Sequence, residues 1–296
     1  MAHDDSTPVE WQAPPLATDA HFHVFGDVER YPAGSPDLRY ALPHAPLEDY
    51  LSLANRLGFQ RHVFVQPSAY GRDNACLLDA MQAVGPAAAR GIVDIDEHAP
   101  DAEFERLNAL GVRGVRINVS PINPPDANLA ASILPRIERL AARCAEIGWH
   151  LDFLTPGWLT RELLQQTLKT LPVDFSIAHM GMFLAKDGTQ QPAFQELLDF
   201  LRADAESDRG GRCWVKLTGV YRMSTAEGFA DAAPFVCALA EVAPDRLIWG
   251  SDYPHLSFDH VSSVGLFNLL GQWLPDEVTR RRVLVENPAR LYGFEA

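Results

Sequence analysis

The sequence predicts an α/β protein built as a (β/α)8 TIM-type barrel, because three observations agree. Eight short runs of β-branched and aromatic residues recur along the chain, and segments with helical periodicity separate them. The runs begin 22 to 42 residues apart, which suits one strand, one helix and two loops. This alternation of strands and helices is the pattern of repeated βα units around a buried parallel sheet.

The eight predicted strands cover residues 19–24, 61–66, 90–95, 112–119, 149–155, 174–179, 213–218 and 246–252. Between them, residues 46–57, 74–84, 102–110, 129–147, 160–171, 192–203 and 226–242 are predicted as amphipathic outer helices. The helix at 129–147 has the clearest pattern, with Ile133, Ile137 and Leu140 on one apolar stripe. Residues 1–17 are predicted as an N-terminal extension, and residues 18–296 as a single barrel domain.

An open, doubly wound sheet is the alternative fold for alternating strands and helices. That fold usually carries a glycine-rich phosphate-binding turn after its first strand, whereas this strand runs into His23-Val24-Phe25-Gly26. The barrel is therefore favoured, and no nucleotide cofactor is expected.

Composition excludes several classes of protein. The chain has 296 residues, of which 47% are hydrophobic, so it can bury a large core. The net charge of −14 and the lack of a Lys/Arg-rich block argue against nucleic-acid binding. Because the whole molecule repels anions, an anionic substrate would need a local arginine cluster or a metal ion.

The termini and the cysteines indicate the compartment. Residues 1–18 contain no apolar signal segment, and no run approaches the roughly 18 apolar residues of a membrane span, so a cytoplasmic location without membrane association is expected. The four cysteines lie far apart and are predicted to be mostly buried thiols rather than a zinc or redox motif. The sequence does not determine the oligomeric state, and a homodimer is one option.

Polar residues near the predicted strand ends form a candidate active site. The strands' carboxyl ends form one face of a barrel, so side chains far apart in sequence can meet there. His21 and His23 are two residues apart on strand one and share a face. His179 ends strand six, and Asp252 ends strand eight.

Three imidazoles and a carboxylate suit Zn²⁺ or a similar divalent ion, or alternatively a catalytic His/Asp site without an ion. A lone His-x-His pair is more often structural, and the site hypothesis rests on the complete set. The residues His62, His98, His150 and His260 lack such positions and are interpreted as structural or surface residues.

Five motifs along the chain resemble those of the amidohydrolase superfamily. They are Asp19-Ala20-His21-Phe22-His23, Val112-Arg113-Gly114-Val115-Arg116-Ile117-Asn118, His179-Met180-Gly181, Trp249-Gly250-Ser251-Asp252-Tyr253-Pro254-His255 and Glu286-Asn287-Pro288-Ala289-Arg290-Leu291-Tyr292. The match runs in order from about residue 18 to residue 293. Within the superfamily, the chain is similar to the lactone-opening branch that contains 2-pyrone-4,6-dicarboxylate lactonase.

The resemblance implies a distorted barrel of the amidohydrolase type and attack of water on a small cyclic ester. Asp252 matches the general base, and Arg116 a clamp for a substrate carboxylate. Further matches by motif are the catalytic or metal-binding residues His21, His23 and His179, and the substrate-binding residues Arg222, Tyr40 and Ser68.

Two positions depart from the lactonase pattern. Met182 and Ile122 stand where the lactonase has arginines. With fewer guanidinium groups to bind carboxylates bidentately, a monocarboxylate or sugar-acid lactone is expected rather than the pyrone dicarboxylate. Strand five ends in apolar residues and offers no metal-binding histidine, so one divalent metal, Zn²⁺ first, or none is expected, rather than two.

Individual candidates keep structural alternatives. Arg116 could form a salt bridge instead of a substrate contact, and Arg113 is interpreted as structural. His255 could orient Asp252 or contact substrate, or simply cap the loop around Pro254. The expected function is a hydrolase that opens a carboxylate-bearing lactone. The alternatives are a lactone isomerase and a non-catalytic small-molecule binding protein. A decarboxylase would require an additional metal-binding histidine at the end of strand five, where this chain has apolar residues.

Overall fold

The computed structural model describes residues 6–34, 38, 40–119, 128–207 and 211–295. Its eight strands are ordered β1 to β8 in one sheet, in chain order. They are β1 (Thr18–Phe22), β2 (Arg61–Val65), β3 (Ala89–Val93), β4 (Val112–Asn118), β5 (His150–Leu154), β6 (Phe175–Ile177), β7 (Cys213–Leu217) and β8 (Leu247–Trp249). Helices alternate with these strands, so the predicted (β/α)8 fold is confirmed.

Ten α-helices occur in the described part of the chain. They are α1 (Leu47–Leu57), α2 (Ala75–Val84), α3 (Asp101–Ala109), α4 (Leu129–Ile147), α5 (Gly157–Gln166), α6 (Pro192–Ala205), α7 (Ala233–Val242), α8 (Ser263–Trp273), α9 (Glu277–Arg281) and α10 (Asn287–Tyr292). The first seven overlap the seven predicted helices, and α4 matches its prediction at both ends. No described helix is both long and apolar enough to cross a membrane.

The chain forms two compact units, one of Met1–Arg113 with Trp249–Ala296 and the other of Gly114–Ile248. In the first unit, β1 pairs with β2 and β2 with β3, all in parallel. Every residue of these three strands is buried, as expected of a central parallel sheet. The N-terminal extension packs on α8, where Trp11 stacks on Phe267 with ring centroids 4.0 Å apart.

In the second unit, β4 to β7 pair consecutively and in parallel. The register places Arg116 of β4 beside Asp152 of β5, and Asp152 beside Ser176 of β6. Register partners in a sheet share a face, so these polar side chains lie on one side of the strands. Helix α4 packs on this unit through the buried residues Ile137, Leu140 and Cys144.

The four cysteines form no disulfide bond. Cys76, Cys144 and Cys213 are buried, whereas Cys237 on α7 is exposed. The prediction of mostly buried thiols is therefore confirmed.

Candidate active site

The first unit brings His21, His23 and Asp252 together. His21 Nε2 lies 3.5 Å from Asp252 Oδ1, and His23 Nε2 lies 3.7 Å from the same oxygen. The two imidazole rings meet edge to face, with their centroids 5.2 Å apart. All three side chains are at least 95% buried. Residues far apart in sequence thus form one compact polar cluster.

Backbone pairing sets this arrangement. His21 lies in β1 and His23 follows it directly, while Asp252 follows β8. Asp252 N donates to His21 O at 2.8 Å, and His23 N donates to Tyr253 O at 2.8 Å. Asp252 has a φ of 56°, in the left-handed region that non-glycine residues rarely adopt. Backbone strain of this kind is concentrated at functional sites.

The hydrogen bond of His23 to the backbone defines its tautomer. His23 Nδ1 lies 2.8 Å from Val65 O, and a carbonyl oxygen can only accept, so Nδ1 carries the hydrogen. In the neutral ring, Nε2 then presents a lone pair towards the Asp252 carboxylate. His23 Nε2 and Asp252 Oδ1 are then two facing acceptors, which a cation or a proton between them would stabilise. Histidines that bind metals commonly donate their other N–H to a carbonyl oxygen, as His23 does here.

Asp19 contacts the backbone on both sides of the cluster, at His21 and Ser251, and was not among the predicted site residues. Its carboxylate accepts hydrogen bonds from the His21 backbone, from Ser251 and from Tyr50. Burial raises the pKa of Asp19 to about 6, and the hydrogen bonds from Ser251, His21 and Tyr50 partly oppose this rise. The period-2 spacing of Asp19 from His21 and His23 was the available signal, since it places all three on one face of strand one.

In the second unit, His179 lies on a tight turn after β6. Its Nδ1 is 2.7 Å from Thr218 Oγ1, and its backbone N donates to the same oxygen at 3.2 Å. His179 has a φ of 50° and is buried. Gly219 makes the close packing possible, because a Cβ there would lie 2.4 Å from His179 Nδ1. Thr218, the last residue of the predicted strand seven, was also missed as a site residue.

Arg116 is buried in β4 beside a charged pair. Lys216 Nζ lies 2.7 Å from Asp152 Oδ1, and both side chains are fully buried. Burial raises the pKa of Asp152, but the charge and hydrogen bond of Lys216, the Ser176 hydroxyl and the charge of Arg116 outweigh it and hold that pKa below its usual value.

The remaining candidates lie on loops after the strands. Tyr40 and Ser68 are brought together, with their hydroxyl oxygens 3.2 Å apart. Arg222 is half-buried on the turn after β7, where its guanidinium lies over the Tyr221 ring at 5.2 Å. His255 Nε2 lies 2.6 Å from Ser263 Oγ at the start of α8, which favours its role in holding the loop. Ile122 lies outside the described residues.

Comparison with known proteins places the chain in a family. A family model described as amidohydrolase matches residues 18–294. The 4-sulfomuconolactone hydrolase of Hydrogenophaga intermedia is 35% identical, over 97% of this chain and 91% of that protein. D-galactarolactone isomerase of Agrobacterium fabrum is 32% identical, over 93% of this chain and 90% of that protein.

A solved structure agrees with this relationship. The putative 2-pyrone-4,6-dicarboxylic acid hydrolase of Pseudomonas putida superposes with a TM-score of 0.81 at 33% identity, covering 95% of this chain and 98% of that one. Both the sequence motifs and the fold therefore agree with the family model. The chain belongs to the amidohydrolase family.

Proposed function

We propose that this protein is a lactone hydrolase, which opens a carboxylate-bearing cyclic ester with water. The observation that carries the proposal is the buried cluster of His21, His23 and Asp252, in which two imidazoles approach one carboxylate oxygen. The relatives named as a sulfomuconolactone hydrolase and a pyrone dicarboxylic acid hydrolase support this reaction type.

The proposed chemistry uses Asp252 as the general base. Its carboxylate accepts a proton from water as the water oxygen attacks the ester carbonyl, and the proton then passes to the leaving alkoxide. Its left-handed backbone and the hydrogen bond from Asp252 N to His21 O hold this side chain towards the imidazoles. A fixed base lowers the entropic barrier to the attack.

Histidines stabilise the oxyanion in this proposal. His179 ends β6, and in a (β/α)8 barrel the carboxyl ends of the strands line one active-site face. We therefore assign His179 to the same site as His21 and His23. An imidazole N–H of His21 or His179 that faces the developing negative charge would lower the energy of the transition state without reorganisation, whereas the Nε2 lone pair of neutral His23 cannot donate to it.

The donor set also fits one divalent metal ion, with Zn²⁺ as the first choice. His21, His179 and Asp252 are the ligands we propose, and the neutral His23 ring presents its Nε2 lone pair to the same carboxylate. When bound, such an ion would act as a Lewis acid and lower the pKa of water towards about 7. Metal analysis of the purified protein, with activity measured before and after chelation, distinguishes one bound ion from none.

The substrate class rests on Arg116, which is buried in β4 within the motif Val112-Arg113-Gly114-Val115-Arg116-Ile117-Asn118. A guanidinium group matches the geometry of a carboxylate, so a substrate carboxylate suits this position. We propose Arg116 as the principal carboxylate clamp. The other substrate contacts that we propose are Arg222, Tyr40 and Ser68, with His255 as a further candidate.

Hydrolysis of a panel of monocarboxylate and sugar-acid lactones tests the function. The Asp252→Asn variant should lose at least about 100-fold in kcat with folding retained, because Asn cannot accept the proton. The matched control is Asp174→Asn, which changes a carboxylate immediately before β6 that accepts a hydrogen bond from the Trp214 indole. Full activity in Asp252→Asn would contradict the proposed base, and binding of lactones without turnover would indicate a non-catalytic binding protein.

Lactone isomerisation is the second candidate, because a related protein is named D-galactarolactone isomerase. Reaction in ¹⁸O-labelled water distinguishes the two reactions. Hydrolysis places one labelled oxygen in the product, whereas migration of the acyl group between hydroxyls within one molecule places none.

A further inference from the structure

We propose that Asp19 is a positioning residue, which sets the distance between His21 and Asp252. This inference deepens the proposed function, and its kinetic test rests on that function. Asp19 lies in β1, two residues before His21, and its side chain is 2% exposed. No catalytic step described above uses it.

The Asp19 carboxylate accepts four hydrogen bonds. Oδ1 accepts from His21 N at 3.2 Å and from Ser251 N at 3.0 Å. Oδ2 accepts from Ser251 Oγ at 2.7 Å and from Tyr50 OH at 3.3 Å. An ionised carboxylate is an acceptor-only group, so it can satisfy four converging donors, whereas an amide cannot.

These bonds join the two segments that carry the catalytic side chains. Ser251 immediately precedes Asp252, and His21 N is bound by the same oxygen as Ser251 N. The segments also approach closely, because a Cβ at Gly250 would lie 2.5 Å from His21 N. Asp19 therefore holds the backbone of both segments next to His21 and Asp252. The side chains of these two residues approach each other to 3.5 Å, from His21 Nε2 to Asp252 Oδ1.

Asp19 acts through other residues rather than on substrate. Both of its oxygens already accept two hydrogen bonds from the protein, and the side chain is buried among β1, α1 and the segment after β8. Loss of this anchor would let Asp252 shift relative to His21. A displacement of about 1 Å in a catalytic group can lower the rate about 100-fold.

Three variants separate positioning from simple stability. Asp19→Ala removes all four hydrogen bonds, and Asp19→Asn keeps an oxygen that can accept from both backbone N–H groups. Ser251→Ala removes only the hydroxyl bond at 2.7 Å. The matched control is Asp174→Ala, which removes a carboxylate that accepts from Trp214 Nε1 at 3.0 Å, before β6.

We expect Asp19→Ala to lower kcat by about 10- to 100-fold with KM changed less than about threefold. Asp19→Asn and Ser251→Ala both keep the two bonds from backbone N–H groups, so each should lower kcat measurably but less than Asp19→Ala does. Asp174→Ala should lower Tm without lowering kcat. If Asp19→Ala does not fold, Asp19→Asn and Ser251→Ala decide the question. Wild-type kcat in the folded Asp19 variants would overturn the proposal. It would also be overturned if Asp174→Ala lost as much kcat as Asp19→Ala for the same decrease in Tm.

A crystallographic comparison is independent of the substrate. The distance from His21 Nε2 to Asp252 Oδ1 should lengthen by about 1 Å in Asp19→Ala relative to wild type and stay unchanged in Asp174→Ala. An unchanged distance in Asp19→Ala would overturn the positioning role. If wild type hydrolyses no lactone but the distance changes as expected, the proposed function fails while the positioning role stands.

Discussion

Arg116 and Arg113 lie three residues apart on β4 and differ in their surroundings. Arg116 is 4% exposed and lies beside the Asp152–Lys216 pair, whereas Arg113 donates to the carbonyl oxygens of Asn108 and Val112. Arg113 thus has backbone partners, which agrees with its structural interpretation. Arg116 instead places a guanidinium group beside a buried pair of charged side chains.

This contrast makes a prediction about substrate binding. Arg116→Gln should raise KM for a carboxylate lactone by about 10- to 100-fold, because a charge-assisted hydrogen bond is worth about 1.5 to 3 kcal/mol. The KM for the neutral methyl ester of the same lactone should change little. Arg113→Gln is the control, and an equal rise of KM in both variants, or for both substrates, would contradict the assignment.

His62 is a buried imidazole in the first unit. Burial lowers its pKa to about 4, and its Nδ1 lies 3.0 Å from Tyr50 OH. An unfolded histidine has a pKa of about 6.5, so the unfolded chain takes up a proton before the folded protein does. The stability that His62 contributes is therefore fully present above pH 6.5 and is lost as the pH falls towards 4.

Asp19 changes the stability in the opposite direction over nearly the same pH range. Its raised pKa favours folding below about pH 4, and this contribution is lost as the pH rises through 6.

Because the two contributions overlap, the test for His62 compares wild type with a His62 variant at each pH. The free energy of unfolding of wild type relative to His62→Asn should fall by about 3 kcal/mol between pH 7 and pH 4, measured by urea unfolding. Parallel curves for wild type and His62→Asn would refute the prediction.

At the scale of elements, two glycines with nearly equal φ angles allow the effect of backbone strain on stability to be measured apart from the effect of the His179 position on activity. Gly219 has a φ of 58° and Gly228 a φ of 59°. A Cβ at Gly219 would lie 2.4 Å from His179 Nδ1, whereas nothing lies within 4 Å of a Cβ at Gly228. Gly219→Ala must therefore displace the imidazole, and Gly228→Ala need not displace any atom.

We expect both alanine variants to lose about 1 to 2 kcal/mol of stability from the left-handed backbone. Only Gly219→Ala should also lose activity, by about tenfold or more, because His179 moves away from Thr218. Unfolding in urea and the kcat of each folded variant measure the two effects separately. Equal activity in the two variants would show that the position of His179 does not matter for the reaction.

The elements also show how far sequence could predict this structure. Hydrophobic periodicity placed α4 at both ends, because its buried stripe is long and regular. It overestimated β8, which spans only Leu247–Trp249, since the residues after Trp249 turn and form backbone hydrogen bonds with His21 of β1 and with His23, just after it. The helices after β8, including α8, were not predicted, because α8 is apolar on most sides and lacks a charged face.

Side-chain partners were harder to predict than elements. Alternation on strand one predicts that His21 and His23 share a face, and an imidazole nitrogen of each lies within 4 Å of Asp252 Oδ1. It could not show that Asp19 binds Ser251, since that contact joins residues 232 positions apart. The Asp152–Lys216 pair depends in the same way on strand register, which an apolar pattern does not specify.

At the scale of the whole molecule, arginines at the amino ends of β2 and β3 hold the segment after α10. Phe294 lies between Arg61 and Arg90, whose guanidinium carbons are 5.2 and 4.5 Å from the ring centroid. Arg90 also donates to Tyr292 O at 3.1 Å and to Gly293 O at 2.8 Å. The amino-terminal face of a barrel contributes stability rather than catalysis.

Phe294→Ala should therefore destabilise the protein by about 3 kcal/mol, since it removes a buried ring and two cation–π contacts. The kcat of the folded variant should stay at the wild-type value. Val278→Ala, at a position that is 65% exposed, is the control and should change the unfolding free energy by less than about 0.5 kcal/mol. A kcat loss in folded Phe294→Ala would show that this end of the barrel influences the site.

The distribution of the thiols has a practical consequence. Burial raises the pKa of the Cys76, Cys144 and Cys213 thiols, so these side chains are both inaccessible and mostly protonated at neutral pH. Cys237 is exposed on α7. A maleimide dye should therefore attach to the native protein at one position, which would provide a fluorescent reporter of tumbling and assembly without any engineered cysteine.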